Sequence, residues 1–275
     1  MGARVAISLL GSQGVTVSSS TLNNNREWAV LLRDSNHNTI TSLTADHNGL
    51  NNVDSDEVSG SFAVFLGQQS YGAMVFVNSD HNVLSYSQFS SDAYASFLLV
   101  GSDYNTIKYV NSMYPDYYGG VLQDSSYNTV DHTVITTSDY VGLVIRGGGF
   151  NTITHVFLAG NGPTGRELRA LNVPYFTSGL YLGWGTHDNS IAHNTSNKGN
   201  TGPGLLVDPG SVLNPVQNPT QSLNPFNNAN GNDPGTVPAG SAFDAGISTE
   251  AGWGNMFCGN SFATFSGVSN PNVSC

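Results

Sequence analysis

Charge is scarce in this chain of 275 residues: only 10% are charged, and 8 basic residues stand against 19 acidic ones. A net charge of −11 argues against nucleic acid as a partner, because nothing in bulk would neutralise phosphates. It also means that gripping a polyanionic sugar chain would need a local basic group working against the global field. Long apolar runs are missing too. None reaches the length of a membrane span, and the apolar start from Val5 to Leu10 is shorter than the core of a signal peptide, so the expectation is a mature or truncated chain with no membrane span. Cysteine is limited to Cys258 and Cys275, both near the carboxyl end.

What the chain does have is a repeat. Six asparagines open similar tripeptides: Asn38-Thr39-Ile40, Asn82-Val83-Leu84, Asn105-Thr106-Ile107, Asn128-Thr129-Val130, Asn151-Thr152-Ile153 and Asn189-Ser190-Ile191. Their spacings of 44, 23, 23, 23 and 38 describe a repeat of 22 or 23 residues with one rung skipped and one coil enlarged. A repeat of that length is one supersecondary unit stacked on its neighbours.

Each unit reads as strands. Runs such as Met74-Val75-Phe76-Val77, Phe97-Leu98-Leu99-Val100 and Leu143-Val144-Ile145-Arg146 are short and apolar, and give way to Gly, Ser or Asp before the asparagine. Further apolar positions follow the asparagine by two, five and seven residues. Three brief strands fit in one coil, and stacking at about 4.8 Å would make three parallel sheets around one axis, a β-solenoid. The asparagines would then bond to their equivalents above and below. Two aromatic columns are expected to stack likewise, Tyr71, Tyr94, Tyr117 and Tyr140, and His81, Tyr104, Tyr127 and Phe150.

The segment Gly142-Leu143-Val144-Ile145-Arg146-Gly147-Gly148-Gly149-Phe150-Asn151-Thr152-Ile153 resembles the short repeats of the right-handed parallel β-helix (pectate lyase-like) superfamily. The resemblance covers about residues 28 to 208. It implies an all-β, single-stranded right-handed parallel β-helix, and a choice among lyases, polygalacturonases, epimerases, phage tailspikes and copper-associated proteins. The polygalacturonase pattern needs paired aspartates and an Arg-x-Lys triplet; Gly185-Thr186-His187-Asp188 echoes only part of it, and that family is rejected.

The expected organisation is β-helix coils over residues 1–208, with 1–27 as lead-in or cap, then a Pro/Asn/Gly-rich loop over 209–250 packing on the solenoid, and a closing segment over 251–275. The 209–246 stretch, with Asn214-Pro215, Asn218-Pro219, Asn224-Pro225 and Asp233-Pro234, reads as incompatible with stacked strands. A Cys258–Cys275 disulfide would close a loop of about 18 residues at about 3 kcal/mol and would fit an extracellular protein, as would the resemblance of this ending to secreted bacterial β-helix proteins. Free thiols are the other reading.

Alternation in the first strand of each coil sends Leu143 and Ile145 inward. It sends Leu31, Val75, Leu98, Val121, Val144 and Tyr181 outward, with Arg146 at the end of the same stripe. So long an apolar outer stripe is expected to be covered, by residues 209–246 or by neighbouring chains in a homo-oligomer.

Chemistry is expected four residues after the asparagine, in the column Ser42, Tyr86, Tyr109, His132, His155 and His193, with Lys108 and Asp131 beside it. A bend there would face these side chains to solvent. Tyr109, His132, His155, Lys108 and Asp131 would supply proton removal next to a carboxylate and proton return to a leaving oxygen. Tyr86, Arg146, His193 and Tyr181 are the substrate-binding candidates. Two other readings of the column stand beside this one: a further stacking ladder, or a metal site of His132, His155 and His193. Asp54, Asp56 and Glu57 form an acidic cluster suited to calcium, or else to pairing with Arg33. The resulting expectation is an extracellular lyase or epimerase of an acidic polysaccharide, with a glycoside hydrolase second; the alternative is a non-catalytic adhesin, spike or glycan-binding β-helix.

Overall fold

The computed structural model describes residues 2–49, 72–162, 178–183 and 186–192, together with the strands Thr195–Ser196, Leu205–Val207, Pro215–Gln217, Ala245–Ile247, Met256–Cys258 and Phe265–Ser266. Among these residues there is no helix, and none therefore that could cross a membrane. The chain winds as a parallel β-helix, with sheets of ten, nine and six strands among the described residues. In one coil the first sheet takes Tyr118–Gln123, the second Thr129–Asp131 and the third Val134–Thr136. The next coil repeats this with Val141–Arg146, Thr152–Thr154 and Phe157–Ala159, in register 23 residues on.

The repeat packs because its apolar positions fall inside. Val30, Leu32, Met74, Phe76, Phe97, Leu99, Leu122, Leu143 and Ile145 point inward from the first sheet. Ile40, Leu84, Ile107, Val130, Ile153 and Ile191 meet them from the second, and Ala45, Phe89, Ile135 and Leu158 from the third. Each large side chain so buried contributes about 1.5–3 kcal/mol.

The rung asparagines are buried and form a continuous ladder. Asn38 N donates to Asn82 Oδ1 at 2.8 Å, and the same bond links Asn82 to Asn105, Asn105 to Asn128, Asn128 to Asn151 and Asn151 to Asn189 at 2.8–3.0 Å. The side-chain amides donate along the same column. Three residues earlier, Ser35, Ser79, Ser102 and Ser125 repeat the device, each hydroxyl accepting from the serine N–H of the preceding coil. A third ladder follows the third sheet: Asn25 Nδ2 donates to Asn48 Oδ1, and Asn48 Nδ2 to Asp92 Oδ1.

Corners between sheets turn on single residues with positive φ. In one coil these are Asp124, Tyr127, His132 and Thr137, with φ between 45° and 58°. Their N–H groups donate to carbonyls of the next coil, so the parallel ladder is not interrupted at the bends. Placing such corners on non-glycine residues costs about 1–2 kcal/mol each. Stacking of the corner side chains offsets part of it: Tyr104 and Tyr127 lie 4.8 Å apart at 6°, and Tyr127 and Phe150 4.9 Å apart at 6°. In the expected column Tyr117 stacks on Tyr140 at 5.0 Å and 4°, while Tyr94 meets Tyr117 at 5.7 Å with a 34° tilt; Tyr71 lies outside the described residues.

The outer stripe of the first sheet is covered. Val121 and Val144 are wholly buried and cluster with Trp28, Val75, Leu98, Tyr118 and Val141 in a second apolar core outside the coil.

Strands continue past residue 208. Pro215–Gln217 pairs with Ser190–Ala192 on one side and Met256–Cys258 on the other, and Ala245–Ile247 extends the first sheet. The expectation that the 209–246 stretch excludes strands is corrected here. Pro215 is the first residue of its strand, where a missing N–H is tolerated. The rest of that stretch lies outside the described residues. No disulfide occurs among the described residues, and the expected Cys258–Cys275 pair lies outside them, since only the backbone of Cys258 is described.

Candidate functional site

The corner after the second sheet positions the candidate groups. Ser42, Tyr86, Tyr109, His132 and His155 each follow a strand of that sheet directly, and all have φ between 45° and 54°. A shared conformation sends their side chains off the backbone in the same direction, one coil apart. Tyr86 stacks on Tyr109 at 4.9 Å and His132 on His155 at 4.4 Å, while Tyr109 meets His132 at 5.1 Å with a 35° tilt. The column faces solvent, as its place at a bend requires: the His132 and His155 side chains are 46% and 45% exposed. It is a stacking ladder and an accessible polar surface at once.

Asp131 ends the strand Thr129–Asp131 beside this column. Its Oδ1 lies 2.8 Å from His132 Nδ1 and 3.1 Å from His155 Nδ1. Partial burial pushes this carboxyl group up, but hydrogen bonds and charge from His132 and His155 outweigh it, so the net shift is downward and the group is a carboxylate. A carboxylate has no proton to donate. Both Nδ1 atoms therefore carry the hydrogen, and in a neutral ring the proton-accepting lone pair is left on Nε2. Thr154 Oγ1, 3.2 Å from His155 Nδ1, supports the same ring.

Lys108 occupies the Asp131 position one coil earlier, paired with it in register on the second sheet. The structure thus brings Lys108, Tyr109, Asp131, His132 and His155 together on three successive coils, with Tyr86 one coil further. Beside them Thr106, Thr129 and Thr152 are in register, one per coil, and none of the three is buried. Sequence reasoning missed this hydroxyl track and Thr154, although the recurring threonine after each rung asparagine was the available signal. The metal reading of the column took His132 and His155 with His193 and left out Asp131: the ligand atoms of Asp131, His132 and His155 all lie within 4.8 Å of one another.

The remaining candidates do not join this group. Tyr181 is only 3% exposed and packs in the outer apolar core, so its ring does not lie on an open surface. Arg146 ends a strand of the first sheet, in register with Gln123 rather than with the second-sheet corner. His193, Asp54, Asp56 and Glu57 lie outside the described residues, and so does the calcium expectation attached to the last three.

No curated protein matches the chain. Among solved structures it is similar to an alginate lyase from Paenibacillus sp. str. FPU-7, with 17% identity, 88% of this chain and 76% of that chain covered, and a TM-score of 0.48. It is also similar to HetL, a pentapeptide repeat protein involved in heterocyst differentiation regulation from the cyanobacterium Nostoc sp. strain PCC 7120, with 10% identity, 78% and 84% covered, and a TM-score of 0.16. A family model described as the right-handed β-helix region matches residues 3–158. With its rung asparagines stacked coil on coil through that region, the chain belongs to the right-handed β-helix family.

Proposed function

We propose that the protein acts on an acidic polysaccharide outside the cell, as a lyase or epimerase that removes the proton beside a uronate carboxyl group. The observation that carries this reading is the convergence of two accessible imidazoles on one ionised carboxylate, Asp131, with Lys108 and Tyr109 on the adjacent coil. In this reading His132 Nε2 takes the proton at C5 while Asp131 stabilises the imidazolium that forms. Lys108 neutralises the substrate carboxylate, which makes that proton more acidic. For elimination, the C5–H electrons form the C4–C5 double bond, the C4–O4 bond breaks, and the Tyr109 hydroxyl gives its proton to O4. For epimerisation, a proton returns to C5 from the opposite face and no bond to O4 breaks.

A second reading has its own observation. The corner rings close their faces against one another, so they present edges, hydroxyls and ring nitrogens at one-coil intervals rather than open faces. Such an array suits binding of a glycan without turnover.

Incubating chelator-treated protein with alginate, pectin, hyaluronan and a neutral glycan separates the two. Ultraviolet absorbance of unsaturated uronate and release of reducing ends are followed together. Unsaturated product from an acidic glycan and none from the neutral one is the expected result. Binding with no product and no change at C5 by nuclear magnetic resonance would leave the binding module.

A further inference from the structure

We propose that Asp131, His132 and His155 form a binding site for a divalent transition metal of the zinc class, with Asp131 Oδ1 and the two imidazole Nδ1 atoms as its ligands. The inference goes beyond the glycan reading and does not rest on it.

The donor set decides the class of metal. Two imidazole nitrogens and one carboxylate oxygen suit zinc, nickel or copper, whereas calcium and magnesium take oxygen ligands. The geometry is close to what such an ion needs. Ligands about 2.0–2.1 Å from a tetrahedral ion stand roughly 3.3–3.4 Å apart. The Oδ1–Nδ1 separations here are 2.8 and 3.1 Å, so an ion requires an opening of a few tenths of an ångström along those two edges. The rings leave adjacent coils side by side, with centroids 4.4 Å apart and planes 23° from parallel, so loading also requires them to tilt until both Nδ1 lone pairs meet at the ion.

The frame is rigid where it matters. Asp131 sits in a strand paired on both sides, to Lys108 and to Thr154, and the His132 N–H donates to the Thr154 carbonyl. Two other Asp–His neighbours serve as internal comparisons. Asp46 meets His47 at 2.8 Å and Asp188 meets His187 at 3.0 Å, each with a single imidazole in the described geometry. Two imidazoles converge on one carboxylate oxygen at Asp131. With both rings nearly half exposed, an ion held there would keep positions open for water or for an oxyanion. Loading also changes the base. When a metal takes His132 Nδ1, the ring hydrogen moves to Nε2, and the lone pair that the elimination reading uses is gone.

The test titrates zinc alone into intact, tag-free, metal-stripped protein at neutral pH, with any free thiol alkylated, and follows binding calorimetrically. One saturable site is expected, weakened more than tenfold by Asp131→Asn and by His132→Gln, and unchanged by His47→Gln. Equal binding by wild type and Asp131→Asn, or no saturable binding, overturns the proposal. On the unsubstituted chain, zinc should protect His132 but not His81 from histidine-specific acylation read by mass spectrometry; equal labelling with and without zinc overturns it too. Because elimination is assayed in chelator, each proposal can fail alone.

Discussion

The imidazoles of His132 and His155 lie 4.4 Å apart, centroid to centroid, and both Nδ1 atoms meet the same oxygen of Asp131. The cause is the winding. Two residues 23 apart in sequence share one corner conformation, and the β-ladder sets them one strand spacing apart. No loop is needed to assemble the group, so its geometry inherits the stiffness of the sheet.

In the proposed reaction Asp131 is a positioning residue. Asp131→Asn keeps the size of the side chain but cannot stabilise an imidazolium. We expect kcat on the acidic glycan to fall by roughly 10²-fold or more with KM little changed, and Asp131→Glu to restore part of it. The melting temperature should hardly move, since partly exposed pairs of this kind contribute about 0–1 kcal/mol. A fall in KM-limited binding alone, with kcat intact, would assign Asp131 to substrate contact instead.

Two buried or half-buried carboxyl groups set opposite pH dependences of stability. Burial pushes Asp92 up, against weaker hydrogen bonds from Asn48, and its Oδ2 has no hydrogen-bond partner among the described residues. As pH rises through the ordinary carboxylate range the unfolded chain loses this proton while the folded chain keeps it, so stability falls with rising pH until the folded value is passed. Asp131, shifted down, acts the other way: its contribution is complete above the ordinary range and is lost as pH falls through the lowered value. Asp92→Asn is therefore expected to raise the melting temperature at pH 7 relative to wild type and to leave it nearly unchanged at pH 3. Thermal melts at the two pH values check this, and an equal shift at both would contradict it.

The asparagine ladder predicts a steep, local cost. Asn128→Ala removes the acceptor used by the Asn105 N–H and side-chain amide and a donor to Asn151. At about 1–3 kcal/mol for each buried group left unmade, the loss is roughly 2–6 kcal/mol. Thr129→Ala, one residue on and facing outward, should stay within about 0.5 kcal/mol. Urea unfolding of the two variants reads the difference.

Gly120 marks a place where the core has no room. A Cβ there would lie 2.2 Å from Cζ of Phe97, whose ring fills the space above it. Gly120→Ala is expected to destabilise by about 1–3 kcal/mol through overpacking. Phe97→Leu in the same chain should recover part of that loss, and failure of the second change to help would mean that the backbone rather than the ring is the obstacle.

These relationships were unevenly legible in the sequence. The ladder from Asn38 to Asn189 could be read because one residue type recurs wherever the buried corner demands the same two hydrogen bonds. The ladder after the third sheet hid because its positions change identity, from Asn25 and Asn48 to Asp92, Pro115, Ser138 and Asn161, so spacing without residue type gave no signal. Solvent-facing placement of the column followed from the bend between two inward positions, Ile153 and Val156 being buried on either side of His155, and Val130 and the polar Thr133 on either side of His132. Their meeting at Asp131 did not follow, because it depends on side-chain rotation and on a left-handed corner that sequence assigns to glycine before histidine. Tyr181 shows the reverse: alternation correctly sent it to the outer face, but the second apolar core that buries that face is a tertiary feature with no local signature.

The most direct test of the catalytic account is the initial rate of unsaturated uronate formation by chelator-treated wild type and His132→Gln, each on an acidic glycan that both bind. The account predicts product from wild type and a rate lower by about 10²–10⁴-fold in the variant at unchanged affinity. Equal rates in the two proteins, or no product from wild type on any acidic glycan it binds, would contradict it.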